Sequence, residues 1–209
     1  MSRLPDHLPL FPLGGAILLP GEILPLNVFE PRYLNMTDDA MAADKLIGII
    51  QTRAGGPQDK PYLEAVGGAG KIVQHEETED GRYLIVLQGL SRFVIKDELD
   101  EKTPYRRASV DWSVFEADRR APEALIEADR DRFTRLLRDW FTQEQVQCDW
   151  PTVEAAPLVR VIDQIAMAAP FAAKEKQALL ESADIKARHD LMLAMLEKKL
   201  AEGAGGALN

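Results

Sequence analysis

Cysteine occurs once in this 209-residue chain, at Cys148, so no internal disulfide can form. That fits a reducing compartment, and a cytoplasmic location is the expectation. A nucleophilic role for Cys148 would need a histidine that its surroundings in "VQCDWP" do not supply, so a structural thiol is expected. Histidine is nearly as scarce. His7, His75 and His189 lie far apart, none falls in an HExxH or Cys–His pairing, and no metal site is expected. The five serines include no Gly-x-Ser-x-Gly elbow. Bases are in deficit, 25 against 34 acids, for a formal net charge of -9. Up to Ala117 there are 12 bases and 18 acids, giving -6; the remainder has 13 and 16, giving -3. Neither part has the basic excess that phosphate-backbone binding needs, which argues against nucleic acid as a partner.

Long apolar runs are also missing. Residues 8–29 are apolar overall, but Pro9, Pro12, Gly14, Gly15, Pro20, Gly21, Glu22 and Pro25 interrupt them. A spanning helix needs about 20 mostly uninterrupted apolar residues, so no membrane segment or signal peptide is expected. "VGGAGKI" (66–72) lacks the parts of a phosphate-binding loop. Ala65 stands where the first glycine would be, and Ile72 replaces the magnesium-holding hydroxyl. Its glycines read instead as a strand that turns or bulges. Paired acids such as Asp38-Asp39 and Glu76-Glu77 read as solvated faces. No catalytic constellation is expected, nor any cofactor.

What the chain does have is a core: 46% of its residues are apolar. The first half reads as short strands. "LPLFPL" and "AILLP" are brief apolar runs, and "KLIGIIQT" (45–52) is a buried-strand candidate. "GKIVQHEETEDGRYLIVLQG" is a hairpin with Asp80-Gly81 at its turn, and "SRFVIKDEL" continues the pattern. Ala108, Val110, Trp112 and Val114 alternate with polar neighbours, which predicts one buried face. About six strands without crossover helices predict an antiparallel barrel or curled sheet.

One helix interrupts the strands, starting within "LNVFEPRYLNM". Pro31 suits a first helical turn, and Glu30 sits at the positive end of the helix dipole. Leu34 and Met41 are predicted to share the buried face, with the helix ending at Asp44 or Lys45. The second half reads as helices. One spans Pro122 to Phe141, with Ile126, Phe133, Leu137, Trp140 and Phe141 on one face. A second spans Glu154 to Ala169, with Leu158, Val161, Ile162, Ile165, Ala166 and Ala169 inward and Pro170 as its stop. "AKEKQALLESAD" and "IKARHDLMLAMLEKKLAE" follow, broken near Asp184. The domains expected are a barrel over 1–117, a helical bundle over 118–202 and a flexible tail over 203–209.

Arginine stands beside an aromatic three times: Arg32-Tyr33, Arg82-Tyr83 and Arg92-Phe93. Such pairs can line a groove in which a guanidinium grips a carbonyl and a ring covers apolar groups. They can equally be structural, with Arg32 and Arg92 tying the helix corner to the sheet through acids such as Glu30, and Phe29, Tyr33 and Phe93 as core.

The segments "LPLFPL", "LLPGEILPLNVFEPRYLNM", "GGAGKIV", "DGRYLIVLQGLSRFVI", "PYRRASV" and "EKQALLE", in that order over about 8–183, resemble the Lon N-terminal domain family, the substrate-recognition domain of ATP-dependent Lon proteases. The resemblance implies an α+β fold: a PUA-like antiparallel β-barrel with one inserted helix, followed by a C-terminal helical bundle. It also implies binding of unfolded or degron-bearing polypeptide, with a protease system as the wider partner. The chain carries no Walker A motif and nothing like the Ser-Lys peptidase, so it is expected to be a stand-alone, non-catalytic module. The candidate peptide-binding residues are Phe29, Glu30, Arg32, Tyr33, Arg82, Tyr83, Arg92 and Phe93. The alternative is a small-molecule-binding protein or enzyme that uses a barrel pocket.

Overall fold

The computed structural model describes residues 4–57, 60–100, 102–120 and 130–206. These divide into two compact units, one built from 1–121 with 170–181 and the other from 122–169 with 182–209.

The first unit holds eight strands: β1 (His7–Pro12), β2 (Ile23–Val28), β3 (Leu46–Ile50), β4 (Thr52–Arg53), β5 (Tyr62–Leu63), β6 (Val66–Glu77), β7 (Tyr83–Glu98) and β8 (Arg106–Asp111). It also holds helix α1 (Pro31–Ala42) and a 3₁₀ segment, Ser113–Arg119. Six strands form one sheet in the order β2-β7-β6-β3-β1-β8, and β8 also pairs with β7; β4 and β5 form a separate two-stranded ribbon. β7 is long enough to serve two neighbours on one side. Its first residues, 83–88, pair with β2, and residues 94–98 pair with β8. The sheet therefore wraps around on itself without being a strictly closed barrel.

The expectation of an all-antiparallel sheet needs one correction. β1 and β3 run parallel, Leu10 opposite Gly48 and Pro12 opposite Ile50. Parallel neighbours need a long return connection, and the stretch containing β2 and α1 provides it.

Local sequence explains most of the rest. The β6–β7 hairpin turns through Thr78–Arg82, with Gly81 at φ 77°. Such a backbone favours glycine. β7 does not stop at Gly89 but runs unbroken for 16 residues. Glycine sits there for another reason: a Cβ on Gly89 would lie 2.0 Å from the Leu19 carbonyl oxygen, and one on Gly68 would lie 1.9 Å from that of Leu18. The segment Ile17–Leu19, itself buried, crosses so close to the sheet that only hydrogen fits beneath it. The glycines of "VGGAGKI" thus serve β6, whose pairing shifts between Ala69 and Gly70.

The core gathers Leu8, Leu10, Ile50, Phe93, Val110 and Trp112 among others. β8 ends at Asp111, so Val114 leaves the alternation and is 63% exposed, while Phe115 turns inward. α1 buries Tyr33, Met36, Thr37 and Ala40, and it ends at Ala42. Leu34 and Met41 are only half-buried, so the buried stripe is centred beside the predicted one.

Helix α5 (Ala173–Glu181) belongs to this same unit. Gln51 donates to the Ala173 carbonyl and to the Gln177 side chain, both at 3.0 Å, and Gln177 donates to the Val66 carbonyl at 3.0 Å. Arg92, 3% exposed, makes the strongest tie. It donates through Nε and Nη2 to Asp118 at 2.8 and 2.7 Å, and through Nη1 to the Leu180 carbonyl at 2.8 Å. Its guanidinium also lies 4.1 Å from the Phe115 ring centroid.

The second unit contains α2 (Arg130–Gln143), α3 (Trp150–Ala155), α4 (Leu158–Ala168) and α6 (Ile185–Gly206). The predicted apolar stripes are buried: Phe133, Leu137, Trp140 and Phe141 on α2, then Leu158, Val161, Ile162, Ile165 and Ala166 on α4. Ile126 and the start of its predicted helix lie outside the described residues. Pro157 divides the predicted second helix into α3 and α4. Met192 and Leu196 of α6 are buried, and Arg188 donates to Asp163 at 2.6 Å, both side chains being under a tenth exposed. α6 runs on to Gly206, through much of the stretch expected as a tail.

Two outcomes follow from this packing. Arg92→Met, which strands the buried Asp118 carboxylate, should cost about 3–5 kcal/mol in urea unfolding; a loss below about 1 kcal/mol would mean the pair is not holding the unit. Gly89→Ala should lower stability by about 1–3 kcal/mol, because a carbonyl must move to admit the methyl. An unchanged melting temperature would contradict the close crossing of Leu19.

Candidate functional site

β2 leads into the FEPRY corner, and strand alternation decides what each residue there does. Val28 points inward at 1% exposure, so Phe29 points out and is 63% exposed. The expectation of Phe29 as a core anchor is therefore corrected. Pro31 is the first residue of α1, as predicted, and Glu30 caps the helix through its backbone, its carbonyl accepting from the Tyr33 and Leu34 N–H groups. Tyr33 is the true anchor. It is 6% exposed, and its ring centroid lies 4.2 Å from that of Phe11. Burial raises the Tyr33 phenol above its ordinary value, with Arg32 acting in the opposite direction.

Arg32 does not tie the corner to the sheet. It pairs with Glu30 at 2.8 Å, both side chains being over two-fifths exposed, and its guanidinium lies 4.6 Å from the Tyr33 ring centroid. An exposed pair of this kind contributes about 0–1 kcal/mol. Loss of Arg32 therefore strands no buried acid.

The DGRY segment lies beside this corner, because Val28 of β2 is opposite Tyr83 of β7. The Tyr83 hydroxyl bonds to Asp38 of α1, which raises its titration above the ordinary value. The Tyr83 ring packs edge-on against His75 at 4.7 Å. Arg82 grips Asp80 within the exposed turn, Nε to Oδ2 at 2.7 Å. Hydrogen bonds from Arg82 and then Thr78 hold the Asp80 carboxyl down to about 2. The third pair sits elsewhere. Arg92 is spent on Asp118 and Leu180, and Phe93 is fully buried in the core. So Glu30 and Arg32 pair at the corner beside exposed Phe29, Tyr33 supports it from beneath, Arg82 and Tyr83 lie at the adjoining start of β7, and Arg92 and Phe93 leave the candidate site. Arg32 and Arg92 do not converge on a common pocket.

Sequence reading missed the neighbouring outer face of the sheet. Ile23 (49% exposed), Leu84 (43%), Leu90 (36%) and Val73 (46%) are large apolar residues facing solvent. The signal was present in "YLIVLQGL": four consecutive apolar residues, 84–87, cannot all face inward on a strand, so apolar side chains must stand on both faces.

Among the described residues no group of three or more His, Cys, Asp or Glu side chains is placed to hold a metal ion. The half-buried Cys148 thiol is pushed up by burial, away from the thiolate form. A cleft of about 310 Å³ lies by the start of β1 and the end of α1, lined by His7, Asp39, Asp44, Tyr105 and Arg107 among others. Its Asp39 is already engaged by the Tyr105 hydroxyl at 2.7 Å. No described helix is long and apolar enough to cross a membrane.

The fold and this surface define an α+β domain with a wrapped mixed sheet, a helical C-terminal part and an exposed apolar corner. Residues 7–198 match the ATP-dependent protease La (LON) substrate-binding domain, and the chain belongs to that family. Lon protease 2 of Myxococcus xanthus is 31% identical over 205 residues, covering 94% of this chain and 24% of that protein. Lon protease 2 of Sorangium cellulosum is 29% identical, with 93% and 25% covered. The chain thus spans about a quarter of the length of these curated relatives, and no ATPase or peptidase domain is matched within it. Among solved structures, a Lon N-terminal domain protein from Xanthomonas campestris superposes with a TM-score of 0.66 at 24% identity, over 90% of this chain and 97% of that one. The N-terminal domain of a Mycobacterium avium complex Lon protease gives 0.63 at 19%, over 93% and 98%. At these identities the two structures establish the fold.

The shift of Asp80 sets a pH dependence for the turn. Its folded value lies below the ordinary 3.8, so its stabilisation is present above that value and is lost as pH falls towards about 2. An NMR titration of the Asp80 carboxyl should show a midpoint near 2, returning towards 3.8 in Arg82→Ala. A midpoint unchanged by that substitution would show that Arg82 does not hold the turn.

Proposed function

We propose that this chain is a non-catalytic module that binds unfolded or degron-bearing polypeptide through the surface around Phe29, in the service of a protease system. The observation that carries the reading is the exposed apolar corner: a phenylalanine 63% exposed, on a corner braced by the buried Tyr33, beside an apolar outer sheet face. Such patches mark interaction sites. Phe29 has the character of an anchor, since aromatic groups carry a large share of contact energy. Arg32 and Arg82 supply donors near it for backbone carbonyls of an extended chain. Membership of a substrate-binding family supports the same reading. The cytoplasmic location expected from the single cysteine forms part of this proposal.

The test is fluorescence polarisation with a labelled protein kept unfolded by reduction and alkylation. Wild type should bind it, and Phe29→Ala should weaken binding about tenfold, the equivalent of about 1.4 kcal/mol. Arg32→Ala should weaken binding while changing stability by no more than about 0.5 kcal/mol, because its ion-pair partner Glu30 is exposed. A well-folded wild type that captures nothing at high micromolar concentration would refute the reading.

A further inference from the structure

The edge of β2 points to how such a polypeptide is held. Among the described strands β2 pairs only with β7, so its other edge carries free backbone groups. The register fixes which ones. The Gly89 N–H donates to the Glu22 carbonyl, and Leu24 stands opposite Leu87, so residues 22, 24, 26 and 28 face β7. Ile23, Pro25 and Asn27 therefore turn their backbone groups to the open edge. Pro25 has no N–H to lose and fits there without breaking the ladder. The edge offers N–H and C=O from Ile23 and Asn27, and C=O from Pro25.

Open edges in native proteins are usually blunted by charge, proline or a bulge. "ILPLNV" carries the proline and no charge at all. The side chains on its outer face continue an apolar surface: Ile23 and Pro25 on β2, then Leu84 and Val86 on β7, with only Gln88 and Asn27 polar between them. Charge is unevenly placed. Glu76 and Glu77 stand opposite Leu84 and Tyr83, and Glu79 and Asp80 follow in the turn, so with Glu30 the acids outnumber Arg32 and Arg82 where Val28 ends β2; at the opposite end Lys71 stands across from Gln88.

We infer that the free edge of β2 receives an extended polypeptide as an added antiparallel strand, with alternate apolar side chains lying on the Ile23–Leu84 face and lysine or arginine at its N-terminal end meeting the acidic turn. This rests on the polypeptide-binding reading and places that binding on β2. The orientation follows from geometry: β2 runs towards the acids, so an antiparallel partner begins there. Backbone pairing supplies affinity without sequence, and the outer face and acids supply preference. The chain's own net charge of -9 disfavours a second copy as the occupant.

The probe is a labelled peptide of alternating valine and threonine led by two lysines, compared with the same peptide carrying its lysines at the C-terminal end, on the full chain. The lysine-led peptide should bind about tenfold tighter. Asn27→Pro, which deletes one edge N–H, should weaken it by about tenfold while leaving the melting temperature near that of wild type. Glu76→Lys with Glu79→Lys, both exposed, should abolish the preference for leading lysines. Equal binding of the two peptides, or indifference to Asn27→Pro, would overturn the inference. If the alkylated unfolded protein is still captured under that indifference, polypeptide binding stands and only its location falls; if nothing is captured by wild type, the underlying reading falls as well. Sedimentation showing a dimer that Asn27→Pro dissociates would assign the edge to a second copy and overturn the proposal.

Discussion

A single guanidinium fixes three separate pieces of chain in the barrel unit. Arg92 leaves the middle of β7, clamps Asp118 through two nitrogens while its own backbone N–H bonds the same carboxylate, and spends its remaining reach on the carbonyl of Leu180. Buried charge is costly to leave unmatched, so the 3₁₀ segment and α5 have one acceptable place against β7. Gln51 and Gln177 reinforce the choice with neutral bonds to Ala173 and Val66. These polar ties define where the apolar core ends. The barrel unit is consequently assembled from the first part of the chain and a later returning helix, α5, which sequence distance alone would assign to the helical half.

Rigidity there has a consequence for the surface opposite in role. With Phe93 filling the core and Arg92 satisfied, the third arginine–aromatic pair has no freedom to bind anything. The first two pairs differ because strand and helix geometry leave their polar ends in water. Arg32 leans on Tyr33 and Glu30, and Arg82 leans on Asp80, each held locally and cheaply. Binding energy is available where groups are ordered but not yet consumed. In the binding mode proposed above, that condition is met at the FEPRY corner, at the outer face of β7 and along the edge of β2 left open among the described strands.

Much of this was legible from residue order. Proline after an acid gave the start of α1, Asp80-Gly81 gave the hairpin turn, and helical periodicity gave the buried stripes of α2 and α4. The missed features have a common cause: they depend on partners distant in sequence. Nothing near Arg92 announces Asp118, 26 residues on. The glycines of "VGGAGKI" suggest a bulge, and the ladder does shift at Ala69/Gly70, but nothing local announces that Gly68 and Gly89 lie beneath the carbonyls of Leu18 and Leu19. Phe29 was read as core because it is aromatic and follows an apolar run, whereas its parity relative to Val28 decides its direction. The parallel pairing of β1 with β3 was hidden for the same reason, since strand order cannot be read from strand pattern.

The central claim is the proposal that a well-packed body presents the open edge of β2 to unfolded polypeptide. Amide hydrogen exchange at single-residue resolution, with and without saturating alkylated unfolded protein, addresses it most directly. The account predicts that the Ile23 and Asn27 amides exchange at open-strand rates in the free chain and become strongly protected on binding, while the buried Arg92 amide is protected throughout. Protection of those two amides before any partner is added, or protection on binding confined to other surfaces, would contradict it.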